Sequence, residues 1–251
     1  HEDPRRQRQM CIRDRDGTVR KHIKEDLELI RERILEMAKE AESNGNPLTW
    51  FEDLYSSSEG NEEMIPWSNG EPNHLLVEWL DSEPPQGRAL VVGCGLGEDA
   101  AYLSELGWKV TAFDISPTAI KWASETYANL DIEWRVEDLL KLPMEWQRKW
   151  DLVVEVHILQ AIPEDVRVLA APILPDLLAP GGSLVSVGRV ESSRLETPGP
   201  PWSLSRDFIL SIGGNLDLTS ISYPIEMVHG EEVHRFIGSW QRTTSHHPDL
   251  P

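Results

Sequence analysis

Cysteine is nearly missing from this chain: its 251 residues include two, Cys11 and Cys94. One stands in a charge-dense N-terminal stretch and the other between two glycines, so no disulfide framework is expected. Basic residues are also scarce, with 24 Lys and Arg against 43 Asp and Glu, a net charge of −19. Such a field repels phosphate backbones and anionic lipid surfaces, so neither nucleic acid nor a membrane is expected as a partner. No apolar run reaches the ~18 residues that a membrane-spanning helix requires. No basic start followed by an apolar stretch marks a secretory signal, and a cytoplasmic setting is the expectation. The histidines show no H-x-x-x-H spacing and no cysteine-rich company, so no metal site is expected. What the chain does have is apolar material, 39% of its residues, enough for a sizeable core.

Residues 1–21 are dense in charge and carry almost no apolar periodicity, and read as a disordered or foreign tail outside the fold. From Ile23, the residues Ile23, Leu27, Ile30, Ile34, Leu35 and Met37 recur at helical spacing to about Glu42. "NGNP" ends that helix. A short helix near Trp50–Tyr55, a loop with Trp67 and Gly70, and a helix near Asn73–Leu80 complete a helical lid segment over 22–82. A domain over 83–242 follows, with a flexible tail over 243–251. Within the domain, strands are expected at 88–93, 109–114, 132–136, 151–156 and 183–189. Helices near 98–106, 117–128 and 164–178 separate them, the last one broken by Pro172 and Pro175. That alternation implies βαβ units: an α/β, Rossmann-like, doubly wound sheet, mainly parallel. After a helix near 205–212, the runs Leu216–Met227 and Glu231–Gln241 read as an antiparallel C-terminal hairpin.

The stretch Ala89–Leu103, "ALVVGCGLGEDAAYL", runs from an apolar strand through Gly93, Gly95 and Gly97 into a helix. A dinucleotide loop requires G-x-G-x-x-G, with the pyrophosphate on the helix N-terminus. Here the spacing is G-x-G-x-G, and Glu98 and Asp99 follow. At ~4–5 Å and an effective dielectric of ~20, each carboxylate would repel a phosphate by on the order of 3–4 kcal/mol. No Lys or Arg in the loop offsets this. A phosphate-free, positively charged ligand such as S-adenosylmethionine fits better than NAD. Asp114 ends the next strand, 21 residues after Gly93, where an acid can accept both ribose hydroxyls. Ile115 follows it, and Ser116 before Pro117 forms a helix N-cap. Asp138, followed by Leu139, stands after the third strand, where it can accept from an adenine amine.

These residues resemble the class I S-adenosylmethionine-dependent methyltransferases. "VVGCGLGED" is similar to their first motif, "FDIS" to the ribose-binding acid, "VEDLL" to the adenine-side acid, and "KWDLVVEVHILQAI" and "LLAPGGSLVSVG" to later segments. The resemblance covers about 47–241 and implies a seven-stranded sheet with its last strand antiparallel. "WFEDLY…IPWSNGEPNHLLVEWL" resembles the entry segment of thiopurine, thiol, halide and tellurite methyltransferase-like proteins. The resemblance implies Trp67 and Gly70 folding over the methionine end of the cofactor, with Gly93, Cys94, Gly95, Gly97 and Asp99 around it.

Methyl transfer is an in-line displacement, so the protein supplies alignment and desolvation. The acceptor is expected to be a small molecule, foremost a thiol or another soft nucleophile. Its pocket is expected from Trp67, His157, Gln160, Arg189 and Trp202. Glu155 and His157 are the catalytic candidates. His157 is either a general base or a residue that shapes the pocket. Glu155 could hold the cofactor ammonium, a substrate group or Arg189. A monomer or homodimer is expected. Two other readings stand beside this one: a protein that binds S-adenosylmethionine without transferring methyl, and an NAD-dependent oxidoreductase.

Overall fold

The computed structural model describes residues 17–81, 87–192, 199–228 and 230–244. The elements in chain order are α1 (Gly17–Ser43), α2 (Thr49–Ser57), α3 (His74–Leu80), β1 (Arg88–Val92), α4 (Glu98–Glu105), β2 (Lys109–Asp114), α5 (Pro117–Thr126), β3 (Ile132–Val136), β4 (Trp150–Val156), α6 (Glu164–Ala170), α7 (Ile173–Asp176), β5 (Leu178–Arg189), α8 (Arg206–Ser211), β6 (Asp217–Ser222), β7 (Ile225–Val228) and β8 (Glu231–Gln241). The sheet runs β3-β2-β1-β4-β5-β8-β6, with β7 also paired to β8. β1 to β5 are mutually parallel, and β8 runs antiparallel to β5, β6 and β7.

The central strands are covered on both faces, and their sequences are accordingly near-continuous apolar runs. Along β1, Leu90 and Val92 enter one core while Ala89 and Val91 enter the other. The lid segment divides between them. Trp50, Leu54 and Ile65 join the first core, and Leu75, Leu76 and Leu80 of α3 join the second. The lid is therefore packed into the domain on both sides of the sheet.

Three expectations about elements need correction. α1 starts at Gly17, inside the stretch set aside as a tail; residues 1–16 and 245–251 lie outside the described residues. β5 starts at Leu178 rather than 183, because Leu178 pairs with Trp150 before a register shift restores regular pairing at Leu152–Ser183. The run Leu216–Met227 is two strands, β6 and β7, interrupted at Tyr223–Pro224, where proline has no N–H to give the ladder. The break at Pro172 between α6 and α7 is as expected.

Candidate active site

The carboxyl ends of β1, β2, β4 and β5 meet the lid at one edge of the sheet. The loop after β1 owes its shape to its glycines. Gly93, Gly95 and Gly97 all have positive φ, at 59°, 53° and 92°, a region that side chains with a Cβ disfavour. A Cβ on Gly93 would stand 2.3 Å from Ile158, and one on Gly97 would stand 2.6 Å from Trp134. These two glycines serve close packing. Gly95 instead looks toward polar atoms of the lid, the Tyr55 hydroxyl and Trp67 Nε1.

Asp114 closes this loop onto the sheet. Its carboxylate accepts from Gly95 N and Ser116 N, both at 2.9 Å. It is 6% exposed and has no basic partner among the described residues, and burial pushes its carboxyl above the usual range. Ser116 caps α5 by accepting from Ala119 N at 3.0 Å, with Pro117 in the first turn. Glu52 of α2 fastens the lid at this point, accepting from Ser116 Oγ at 2.5 Å, Thr118 N at 3.1 Å and Thr118 Oγ1 at 2.6 Å. Asp138 caps a short 3-10 turn, accepting from Leu140 N at 2.9 Å, and lies 3.3 Å from Lys141 Nζ. Ile115 and Leu139 pack against the core.

Trp67 lies over the loop, 40% exposed. Its indole N–H donates to Tyr55 Oη at 2.9 Å, and its ring meets Trp50, Phe51 and Tyr55 edge-on. The acids after the glycines are not free, as the sequence alone implied. Glu98 accepts from Ser68 Oγ and from the Gly70 amide. Asp99 accepts from the Asn73 amide at 2.7 Å. Both carboxyls are pushed up by burial, Asp99 to about 6. They fasten the lid to the start of α4. Cys94 is a free thiol, pushed well above its ordinary pKa by burial and by Asp114, and is thus held protonated.

Glu155 makes its hydrogen bonds inside the fold. It is 1% exposed and accepts from Ile158 N at 2.7 Å, Leu159 N at 2.9 Å and Ser186 Oγ. Ser186 is its register partner on β5. Glu155 shapes the turn after β4 and holds β5 beside it, and no ion pair links it to Arg189. His157 occupies that turn in a left-handed conformation, φ 67°. Its Nε2 lies 3.4 Å from Asn73 Nδ2, and its buried Nδ1 has no partner. Burial and the nearby Arg235, Arg189 and His74 lower its pKa to about 3, so the ring is neutral at ordinary pH and weakly basic.

Gln160, Arg189 and Trp202 are tied together. Gln160 Oε1 accepts from Arg189 N at 2.6 Å, and Gln160 O accepts from Trp202 N at 2.7 Å. Trp202 also lines a cleft of about 280 Å³ with Arg167, Glu164, Glu191 and Phe208. The structure therefore forms two groups: Trp67 and Gly70 with the glycine loop, and His157, Gln160, Arg189 and Trp202 beyond β4 and β5. Asn73, which touches both Asp99 and His157, joins them. Sequence reasoning passed over Asn73, Glu52, Tyr55 and Ser68. Of these only Asn73 carried a visible signal, as an N-cap before the apolar run of α3.

A glycine loop after β1, an acid ending β2 and an acid after β3, on a sheet of this order, define an S-adenosylmethionine-binding Rossmann-like domain. The donor set fits that cofactor. The walls are carboxylates and backbone amides, with no Lys or Arg bonded to the loop among the described residues, which suits a phosphate-free cation better than a pyrophosphate. A family model described as "Methyltransferase domain" matches residues 89–182. "Probable thiol methyltransferase 2" of Arabidopsis thaliana is 30% identical, over 56% of this chain and 62% of that protein. "Thiocyanate methyltransferase 1" of Brassica oleracea is 27% identical, over 71% of this chain and 80% of that protein. The structure of magnesium protoporphyrin IX methyltransferase from Synechocystis PCC 6803 with bound SAH superposes with a TM-score of 0.60 at 18% identity, covering 78% of this chain and 99% of that one. The match gives residues 89–182 the sequence pattern of a methyltransferase domain, and the superposition shows the shared Rossmann-like fold. The chain spans somewhat less than two thirds of the Arabidopsis relative. Among the described residues no helix is long and apolar enough to cross a membrane.

Proposed function

We propose that this chain transfers the methyl group of S-adenosylmethionine to a small, soft nucleophile that reaches the site already ionised, such as a thiolate or thiocyanate. When bound, the cofactor supplies an electrophilic methyl on a sulfonium. The chain's own residues bind, orient and exclude water. Asp114, fixed by two backbone amides, presents its remaining lone pairs to the ribose hydroxyls. Asp138 and Leu139 receive the adenine. Gly93, Cys94, Gly95 and Gly97 let the backbone approach, with Ile115 and Ser116 behind Asp114. Trp67 and Gly70 cover the methionine end, and Asp99 offers its carboxylate to the ammonium.

The observation that carries the acceptor assignment is the state of the candidate bases. The conjugate acid of His157 is held near 3, and Glu155 spends its oxygens on three internal donors. Effective general bases titrate near the operating pH, which His157 does not, and the Glu155 carboxylate is engaged inside the fold. A nucleophile that carries its own negative charge needs no base. The names of the Arabidopsis and Brassica relatives agree with this chemistry. The test is turnover of a labelled methyl donor against thiols, thiocyanate, iodide, phenols and amines. The reading expects turnover with thiols or thiocyanate and little with neutral amines. Cofactor binding without turnover on any acceptor would favour a protein that holds S-adenosylmethionine without using it.

A further inference from the structure

Arg189 is the last residue of β5, and its register partner on β8 is Arg235. Like charges directly opposite one another on an antiparallel pair repel, and a carboxylate normally separates them. The carboxylate here is Glu226 of β7, and both of its oxygens are engaged by other residues. Arg235 Nε donates to its Oε2 at 2.5 Å, and His74 Nε2 lies 2.6 Å from its Oε1. Arg189 is left over. Its buried Nε has no hydrogen-bond partner, and no described carboxylate pairs with its guanidinium. Burial and, among the described residues, the charges of Arg235 and Arg31 hold its pKa below the usual arginine value. A partly buried guanidinium without an anion is an expensive arrangement.

A second unpaired donor stands at the neighbouring strand end. His157 N donates to Val187 O of β5 at 2.9 Å, which places the histidine beside the strand that carries Arg189. The proton position on its ring follows from Asn73. Asn73 Oδ1 accepts from Leu75 N and Leu76 N in capping α3, so the amide nitrogen is the group turned to His157 Nε2. An amide nitrogen only donates, so Nε2 accepts and the ring proton sits on Nδ1. That Nδ1 is the buried atom with no partner.

The geometry points to Arg189 as the residue that receives the negative charge of the methyl acceptor, with the His157 Nδ1–H as a second donor beside it. The ligand class is a small monoanion. Its charge lies either on the nucleophile itself, as in thiocyanate, or on a carboxylate appended to a thiol, as in mercaptoacetate. This assignment rests on the methyltransferase reading for what happens to the anion, but not for its binding.

The test uses the full chain, saturated with S-adenosylhomocysteine, and titrates it by calorimetry with thiocyanate, mercaptoacetate and acetate. Wild type should bind at least one of these in the millimolar range or tighter. Arg189→Met should weaken that binding at least tenfold, and Arg189→Lys should recover part of it. Thiocyanate alone binding places the charge on the nucleophile, whereas acetate and mercaptoacetate binding places it on an appended carboxylate. Thermal melting of the ligand-free protein provides the second readout. Losing an unpaired buried cation should leave Arg189→Met melting at or above wild type, where a structural arginine would lower the midpoint. Equal anion binding by wild type and Arg189→Met, no binding of any probe, or a lowered midpoint in Arg189→Met overturns the assignment. If S-adenosylhomocysteine itself fails to bind, the methyltransferase reading falls, and the anion titrations on the ligand-free chain still decide the role of Arg189.

Discussion

The Asn73 amide donates to the Asp99 carboxylate at 2.7 Å, fastening the lid to the first turn of the helix after the glycine loop. The same residue caps α3 through its side chain. The Asp99 bond comes from the backbone N–H and survives substitution, whereas the cap does not, so Asn73→Ala should lose about 1 kcal/mol of stability and also weaken S-adenosylhomocysteine binding several-fold as the start of α3 frays. Asn73→Ser, which keeps a capping oxygen but cannot reach His157 with an amide, should recover most of the melting temperature. Melting curves and titrations on the two variants separate the cap from the contact.

Asp99 predicts a pH dependence in two directions. In the folded chain it holds its proton up to about pH 6, whereas in the unfolded chain it releases it near 4. Between those values the native state binds more protons, so the ligand-free protein loses stability as pH rises through this window. Asp99→Asn keeps an acceptor for the Asn73 amide and removes the buried charge. It should stabilise the ligand-free protein at pH 7.5 by on the order of 2 kcal/mol and flatten its stability between pH 4 and 6. Cofactor affinity should run the other way. It should tighten as pH rises through about 6, because only the ionised carboxylate holds an ammonium, and Asp99→Asn should abolish that rise.

His157 should leave no titration limb in kcat between pH 5 and 8 at saturating cofactor, because its ring is already neutral there. Any limb should follow the ionisation of the thiol offered as acceptor. The residue's backbone gives a separate check. At φ 67° asparagine is tolerated, whereas a β-branched side chain is strained. His157→Asn should keep its melting temperature within a few degrees, and His157→Val should lose about 1–2 kcal/mol.

Glu155→Gln should be costly for stability. The carboxylate serves two backbone amides through one oxygen and the Ser186 hydroxyl through the other, and a carboxamide keeps the amides but turns an N–H to the hydroxyl, which must then accept. The expected loss is about 1–2 kcal/mol, from charge-assisted bonds becoming neutral ones, read in denaturant melts. If Glu155 serves β5 and the turn after β4 alone, the folded variant should bind S-adenosylhomocysteine normally; a loss of binding would instead place Glu155 against the cofactor.

Much of this architecture was written plainly in the chain. β1, β2 and β4 are apolar runs because both of their faces are covered, and Asp114 stands where a strand-end acid was expected. The glycine loop was legible because its conformations exclude other residues. What was hidden depends on contacts across distance. Glu98 and Asp99 looked like free acids aimed at a ligand, but their partners Ser68 and Asn73 lie 30 and 26 residues earlier, in a loop with no periodicity to read. Glu155 looked like a misplaced charge in an apolar strand until the β4–β5 register set Ser186 opposite it. The unpaired state of Arg189 required two registers, β5–β8, which sets it opposite Arg235, and β7–β8, which brings Glu226 to Arg235.

The most direct test of the central claim is calorimetric titration of S-adenosylhomocysteine, with NAD as the competing ligand, against wild type and Asp114→Ala. The account predicts micromolar binding of S-adenosylhomocysteine by wild type, at least a tenfold loss in Asp114→Ala, and no heat from NAD. Absence of S-adenosylhomocysteine binding, or tighter binding of NAD, would contradict it.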